Sequence, residues 1–156
     1  DMQIEPFLVA SSLMGLLAQR LVRRVCPDCR VPHKPTPEEL ISVGIDPRQF
    51  EGGTLHVPKV KNAAKAPPPG MVFQASPTGC QRCGKVGYRG RTGIYEMLLI
   101  NDAVRKLTLE KADAGSIRNA AAAAGMIGLR QDGARKVCKG LTTAEEVMLM
   151  TAEGGG

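Results

Sequence analysis

Cys80-Gln81-Arg82-Cys83, running on through Gly87-Tyr88-Arg89-Gly90-Arg91, is the stretch on which the 156-residue chain turns. It has an upstream counterpart in Cys26-Pro27-Asp28-Cys29. Each Cys-x-x-Cys pair bends a short turn so that two sulfurs face one point, and two such pairs read as the halves of one tetrahedral metal site. Zinc takes four thiolates at about 2.3 Å with no directional preference of its own, so its ligands can come from distant parts of a chain. Here 50 residues lie between Cys29 and Cys80, more than in an ordinary zinc ribbon. The site would therefore clamp a whole subdomain. Four thiolates leave no open position for water, so the metal would be structural.

Other readings of the cysteines stand beside this one. A redox dithiol is expected near a βαβ pattern, and neither pair has one around it. Two disulfides would require an oxidising compartment. Cys138 falls in a predicted helix and reads as a small buried apolar residue. Gly79 to Lys85 imitates the Gly-x-x-x-x-Gly-Lys spacing of a phosphate-binding loop, but Val86 follows where a magnesium-binding hydroxyl is needed. Its glycines are better explained as turns around the metal. With four cysteines assigned, His33 and His56 are left as surface residues.

Composition limits the alternatives. The formal charge is +6, and the aromatic residues are three Phe, two Tyr and no Trp. A basic surface is compatible with acidic proteins, anionic lipid or nucleic acid, but so few aromatics argue against a single-strand stacking platform. No apolar run reaches the roughly 18 residues of a membrane span, and no signal peptide is expected from this sequence. Cysteine usage of the metal type suits a reducing cytoplasm. The chain starts at Asp1 and runs straight into a predicted helix, as expected of the C-terminal piece of something longer.

Along the chain, Pro6 to about Val25 has the apolar spacing of a helix: Ala10, Leu13, Leu17, Leu21 and Val25, with Arg20, Arg23 and Arg24 on another side. Those arginines could contact phosphate or a neighbouring subunit. Thr36-Pro37-Glu38-Glu39 starts a short helix that Gly44 stops, and a further turn of helix begins at Asp46-Pro47. Residues 59–70 carry three lysines and three consecutive prolines and read as an extended loop. Leu55-His56-Val57 and Met71-Val72-Phe73 flank it and could pair as short strands. Arg91 to Ile100 reads as a strand. Four helices follow, opened by Asn101 or Asp102, by Asp113, near Leu129, and by a capping box at Thr143-Ala144-Glu145-Glu146.

In this order the motifs resemble a known family. Glu5-Pro6-Phe7-Leu8-Val9-Ala10-Ser11-Ser12-Leu13, Ala18-Gln19-Arg20-Leu21-Val22-Arg23, the first cysteine pair, Gly87 through Glu96, and Gly140-Leu141-Thr142-Thr143-Ala144-Glu145-Glu146-Val147 are similar to the end of the motor domain of type II secretion and type IV pilus assembly ATPases. The resemblance is weakest between about Gly52 and Thr78.

The resemblance implies a hexameric cytoplasmic ATPase under the inner membrane, driving pilus or pseudopilus assembly through a polytopic platform protein. ATP and magnesium would be bound mainly outside this segment, which lacks the phosphate loop and the magnesium-binding acids. No catalytic residue is expected in it, and no ATP hydrolysis by it alone. Cys26, Cys29, Cys80 and Cys83 would be the family's zinc ligands, and Arg20 and Arg23 could approach nucleotide or a subunit boundary.

The fold class expected is α+β, mostly helical. Residues 1–25 would be the terminal helix of a RecA-like core and 26–100 a tetracysteine subdomain with short strands. Residues 101–153 would form a helical lobe and 154–156 a flexible tail. The competing function is a zinc-dependent nucleic-acid-binding module, against which the positive residues are not gathered on one element.

Overall fold

The computed structural model describes residues 4–51 and 66–152. Among them are seven α-helices and two small two-stranded sheets, a mixed α/β chain.

Helix α1 covers Pro6–Ser12, with proline in its first turn, and ends where Leu13 turns extended. The helix predicted to Val25 does not continue. Strand β1, Gly15–Val25, takes its place and pairs with β4, Tyr88–Leu99. The Ile100 N–H donates to the Met14 carbonyl at 3.0 Å and the Cys26 N–H to the Gly87 carbonyl at 2.9 Å, so the two strands run antiparallel. Leucine, glutamine and arginine favour helix locally, but pairing with a distant strand overrides that preference. Gly15 permits it. A Cβ there would lie 3.0 Å from the Leu98 carbonyl oxygen, tighter than a side chain tolerates without the strands giving way.

The second sheet joins β2, Val31–His33, to β3, Val72–Gln74, in the antiparallel register Val31↔Gln74, Pro32↔Phe73, His33↔Val72. The strand expected over 71–73 is thus present and its described partner is β2. Leu55–Val57, and most of the loop expected over 59–70, lie outside the described residues.

Capping chemistry places the helices. Thr36 and Glu39 form a full capping box on α2, Pro37–Ser42. Helix α3 is Pro47–Glu51. Asn101 caps α4, Asp102–Leu109, and Asp113 caps α5, Ala114–Ala123. Helix α6 is Leu129–Cys138, and Thr143 caps α7, Ala144–Thr151.

The chain divides into two compact units, Asp1–Ala18 with Tyr95–Gly128, and Gln19–Ile94 with Leu129–Gly156. In the first, α1 packs on α4 and α4 on α5. In the second, α7 packs on α6 and α2, and α6 reaches β3. Its core is aliphatic: Leu40, Val43, Ile45, Val72, Ala134, Val137 and Val147, with Phe50, Cys138, Ala144 and Met148 against it. Helices α6 and α7 approach so closely at Gly133 that a Cβ there would meet the Val147 side chain at 2.5 Å.

Candidate metal centre

All four predicted ligands come together in the second unit. Cys26 follows the last residue of β1 and is wholly buried, and Cys29 is half-buried one turn later. The Arg30 N–H closes that turn on the Cys26 carbonyl at 3.0 Å. In the second pair, Cys80 leads into a 3-10 turn over Gln81–Cys83, closed by the Lys85 N–H on the Cys80 carbonyl at 2.8 Å. Glycines make this turn possible. Gly79 and Gly87 have φ of +58° and +74°, and a Cβ on either would lie within 2.6 Å of backbone atoms of Lys85 or Ser76.

The sulfur geometry meets a simple test. An ion held tetrahedrally by four thiolates at about 2.3 Å requires sulfur–sulfur edges of about 3.8 Å. Cys26–Cys80, Cys29–Cys83 and Cys80–Cys83 are each separated by 3.8 Å, and all four sulfurs lie within 4.8 Å of one another. None is in a disulfide. The cluster could hold a metal ion.

Backbone amides prepare it for negative charge. The Cys80 N–H donates to Cys83 Sγ at 3.2 Å and the Gly87 N–H at 3.3 Å. The Cys80 amide first, and the Gly87 amide with it, hold the Cys83 thiol down to about 6 against the opposing effect of burial. Burial, reinforced by the neighbouring thiols, pushes Cys29 up to about 12. Cys83 is thus readily ionised and Cys29 reluctant, so a dication would have to displace a proton on binding.

A cleft of about 380 Å³ lies in the same unit, lined by residues including His33, Glu39, Phe73, Tyr88 and Glu145, and none of the four cysteines lines it. His33 is outside the cluster, 2.8 Å from the Glu39 carboxylate. Cys138 is also outside it, half-buried against the aliphatic core, with burial raising its thiol to about 11.

Arg20 and Arg23 are not set side by side as a helix would set them. They lie three apart on an extended strand, where successive side chains alternate between faces. Arg20 is exposed. Arg23 is engaged: its Nε donates to Glu146 Oε1 at 2.9 Å, its terminal nitrogen bonds the same oxygen, and its backbone N–H donates to Oε2 at 3.1 Å. Its guanidinium also lies 4.2 Å from the Tyr88 ring centre.

The capping box expected at Thr143 is therefore only half made. Thr143 Oγ1 accepts the Glu146 N–H at 3.3 Å, but the Glu146 carboxylate is taken by Arg23. Glu146 is 1% exposed, and sequence reasoning missed its role. Thr142 completes the junction, its hydroxyl donating to the Arg23 carbonyl at 2.7 Å.

The family model for "Type II/IV secretion system protein" matches residues 1–149. The chain belongs to the type II/IV secretion system protein family. Among curated relatives it is 39% identical to the type IV pilus assembly ATPase PilB of Thermus thermophilus over 98% of this chain and 15% of that protein. It is 40% identical to the type II secretion system protein E of Pseudomonas aeruginosa and to the type II secretion system ATPase E of Vibrio cholerae, over 98% of this chain and 26% of each. The chain thus spans about a quarter or less of the length of these family members. Among the described residues no helix is long and apolar enough to cross a membrane.

Proposed function

We propose that this chain is the zinc-stapled C-terminal region of a hexameric ATPase that powers type II secretion or type IV pilus assembly. The observation that carries the proposal is the four-sulfur cluster with 3.8 Å edges, in a chain that the secretion-family model matches from residue 1 to 149. Zinc is the metal whose coordination chemistry suits four thiolates in a closed tetrahedron. ATP and magnesium are bound mainly by parts of the protein outside this segment, which follows a RecA-like core and does not hydrolyse ATP alone.

The role proposed is mechanical. A motor that turns over ATP must pass its motion to a partner, here an inner-membrane platform protein on the cytoplasmic side. Zinc binding to thiolates contributes folding free energy, about 10–16 kcal/mol apparent in small zinc peptides. A region closed by such a centre moves as one body and can support the ring and transmit displacement. Arg20, exposed on β1, is available to a nucleotide or a neighbouring subunit. Arg23 retains half its side-chain exposure while bound to Glu146, and could make such a contact only through its outer face.

The test is substitution of Cys26 or Cys80 by Ser in the full-length protein, with zinc content and secretion or piliation measured together. Loss of zinc should be accompanied by loss of transport. Undiminished transport in a protein shown to have lost its zinc would remove the mechanical role.

A further inference from the structure

The two cysteine turns meet position for position. Cys26 faces Cys80 and Cys29 faces Cys83, both at 3.8 Å and both 54 residues apart in sequence. The third positions of the turns, Asp28 and Arg82, are also 54 apart, and they too meet: the Arg82 guanidinium donates to Asp28 Oδ1 at 3.1 Å. Where equivalent positions face each other, an acid on one turn and a base on the other are complementary. Arg89, from the start of β4, approaches the other Asp28 oxygen at 3.7 Å.

Electrostatics alone does not account for Asp28. Its carboxylate oxygen lies 3.9 Å from Cys26 Sγ, and four thiolates around a dication carry a net charge of minus two. A third negative group beside that centre is repulsive. Its connection across the site offsets this. Metal leaves a four-sulfur centre as the turns part, and the Asp28–Arg82 bond must break for them to do so.

We propose that Asp28 and Arg82 form a latch that ties the two cysteine turns together and slows escape of the metal between them. Arg89 steadies the carboxylate from the β4 side. Both act as positioning residues, since neither is a ligand. The proposal rests on the reading of the cluster as a metal centre.

The test is the rate at which the metal-loaded protein releases zinc to excess chromogenic chelator, with metal content measured before mixing. Arg82→Gln and Asp28→Asn should each speed release about two- to five-fold, the range expected of a well-exposed ion pair. The double variant Asp28→Asn with Arg82→Gln should release zinc no faster than the faster single variant, because both changes break the same bond. Asp28→Asn protein that has lost its zinc before chelation, while the unaltered protein retains one per chain, supports the latch as the extreme case. A purely electrostatic role would speed release in Arg82→Gln and slow it in Asp28→Asn, and that pattern overturns the latch. Unchanged rates in both singles overturn it too, while leaving the metal centre intact. An unaltered protein that holds no metal removes the centre and the latch together.

Discussion

Replacement of Glu146 probes the least expected feature of the fold. Its carboxylate is buried and accepts bonds from the backbone N–H, Nε and terminal nitrogen of Arg23, pinning α7 to the end of β1 three residues before Cys26. Breaking a buried ion pair by removing one partner costs about 3–5 kcal/mol. Arg23 keeps 51% of its side-chain exposure, so water can recover its guanidinium, and part of that penalty is screened. The discounted loss for Glu146→Gln is about 2 kcal/mol, which for a chain of this size lowers Tm by about 4–8 °C. Arg23→Ala should cost at least as much, because it strands the buried carboxylate.

Acidity gives a second handle on the same pair. Burial alone would raise the Glu146 carboxyl, but the Arg23 bonds outweigh it and hold the group below its ordinary value. A depressed folded-state value contributes stability that is present above the unfolded value, about 4.3, and is lost as pH falls through the folded one. Urea unfolding at pH 7 and again below pH 4, with both proteins compared in the same metal state at each pH, should therefore show the gap between unaltered protein and Glu146→Gln narrowing in acid. A Glu146→Gln loss under about 0.5 kcal/mol at pH 7, with no narrowing, would refute the reasoning.

Three further outcomes follow from the packing. Gly87→Ala forces a side chain onto φ +74° and a Cβ to within 2.6 Å of the Ser76 carbonyl oxygen, so it should cost about 1–3 kcal/mol and lower the zinc retained per chain by elemental analysis. Gly133→Ala meets Val147 at 2.5 Å; the overpacking of about 1–3 kcal/mol should exceed the roughly 1 kcal/mol gained in helix propensity, and Val147→Ala in the same chain should relieve it in thermal melts. Cys138, its thiol raised to about 11 by burial, should resist iodoacetamide at pH 8 in the folded protein, and Cys138→Ala should leave zinc content unchanged.

The candidate centre was legible because its determinants are local. Two Cys-x-x-Cys turns and the glycines that shape them can be read within a few residues, and the caps at Thr36, Asn101, Asp113 and Thr143 announce their helices in the same way. What stayed hidden depends on distant partners. Strand β1 carries leucines and arginines at helical spacing, and its partner β4 begins some 60 residues after it ends. Gly15, inside the supposed helix, was the one local sign of a close backbone approach. Glu146 satisfied a short-range capping pattern, while its partner Arg23 lies 123 residues away. Strand β2 is three residues long with Pro32 at its centre, a composition that points away from a strand unless the opposing chain is known.

The most direct test of the account is zinc per chain, by elemental analysis and native mass spectrometry, on protein purified without chelator or metal affinity resin. The account predicts one zinc per chain, with Cys26, Cys29, Cys80 and Cys83 protected from alkylation until a chelator removes the metal. Protein without metal, in which those four thiols are disulfide-bonded or alkylate as freely as an unfolded peptide, would contradict it.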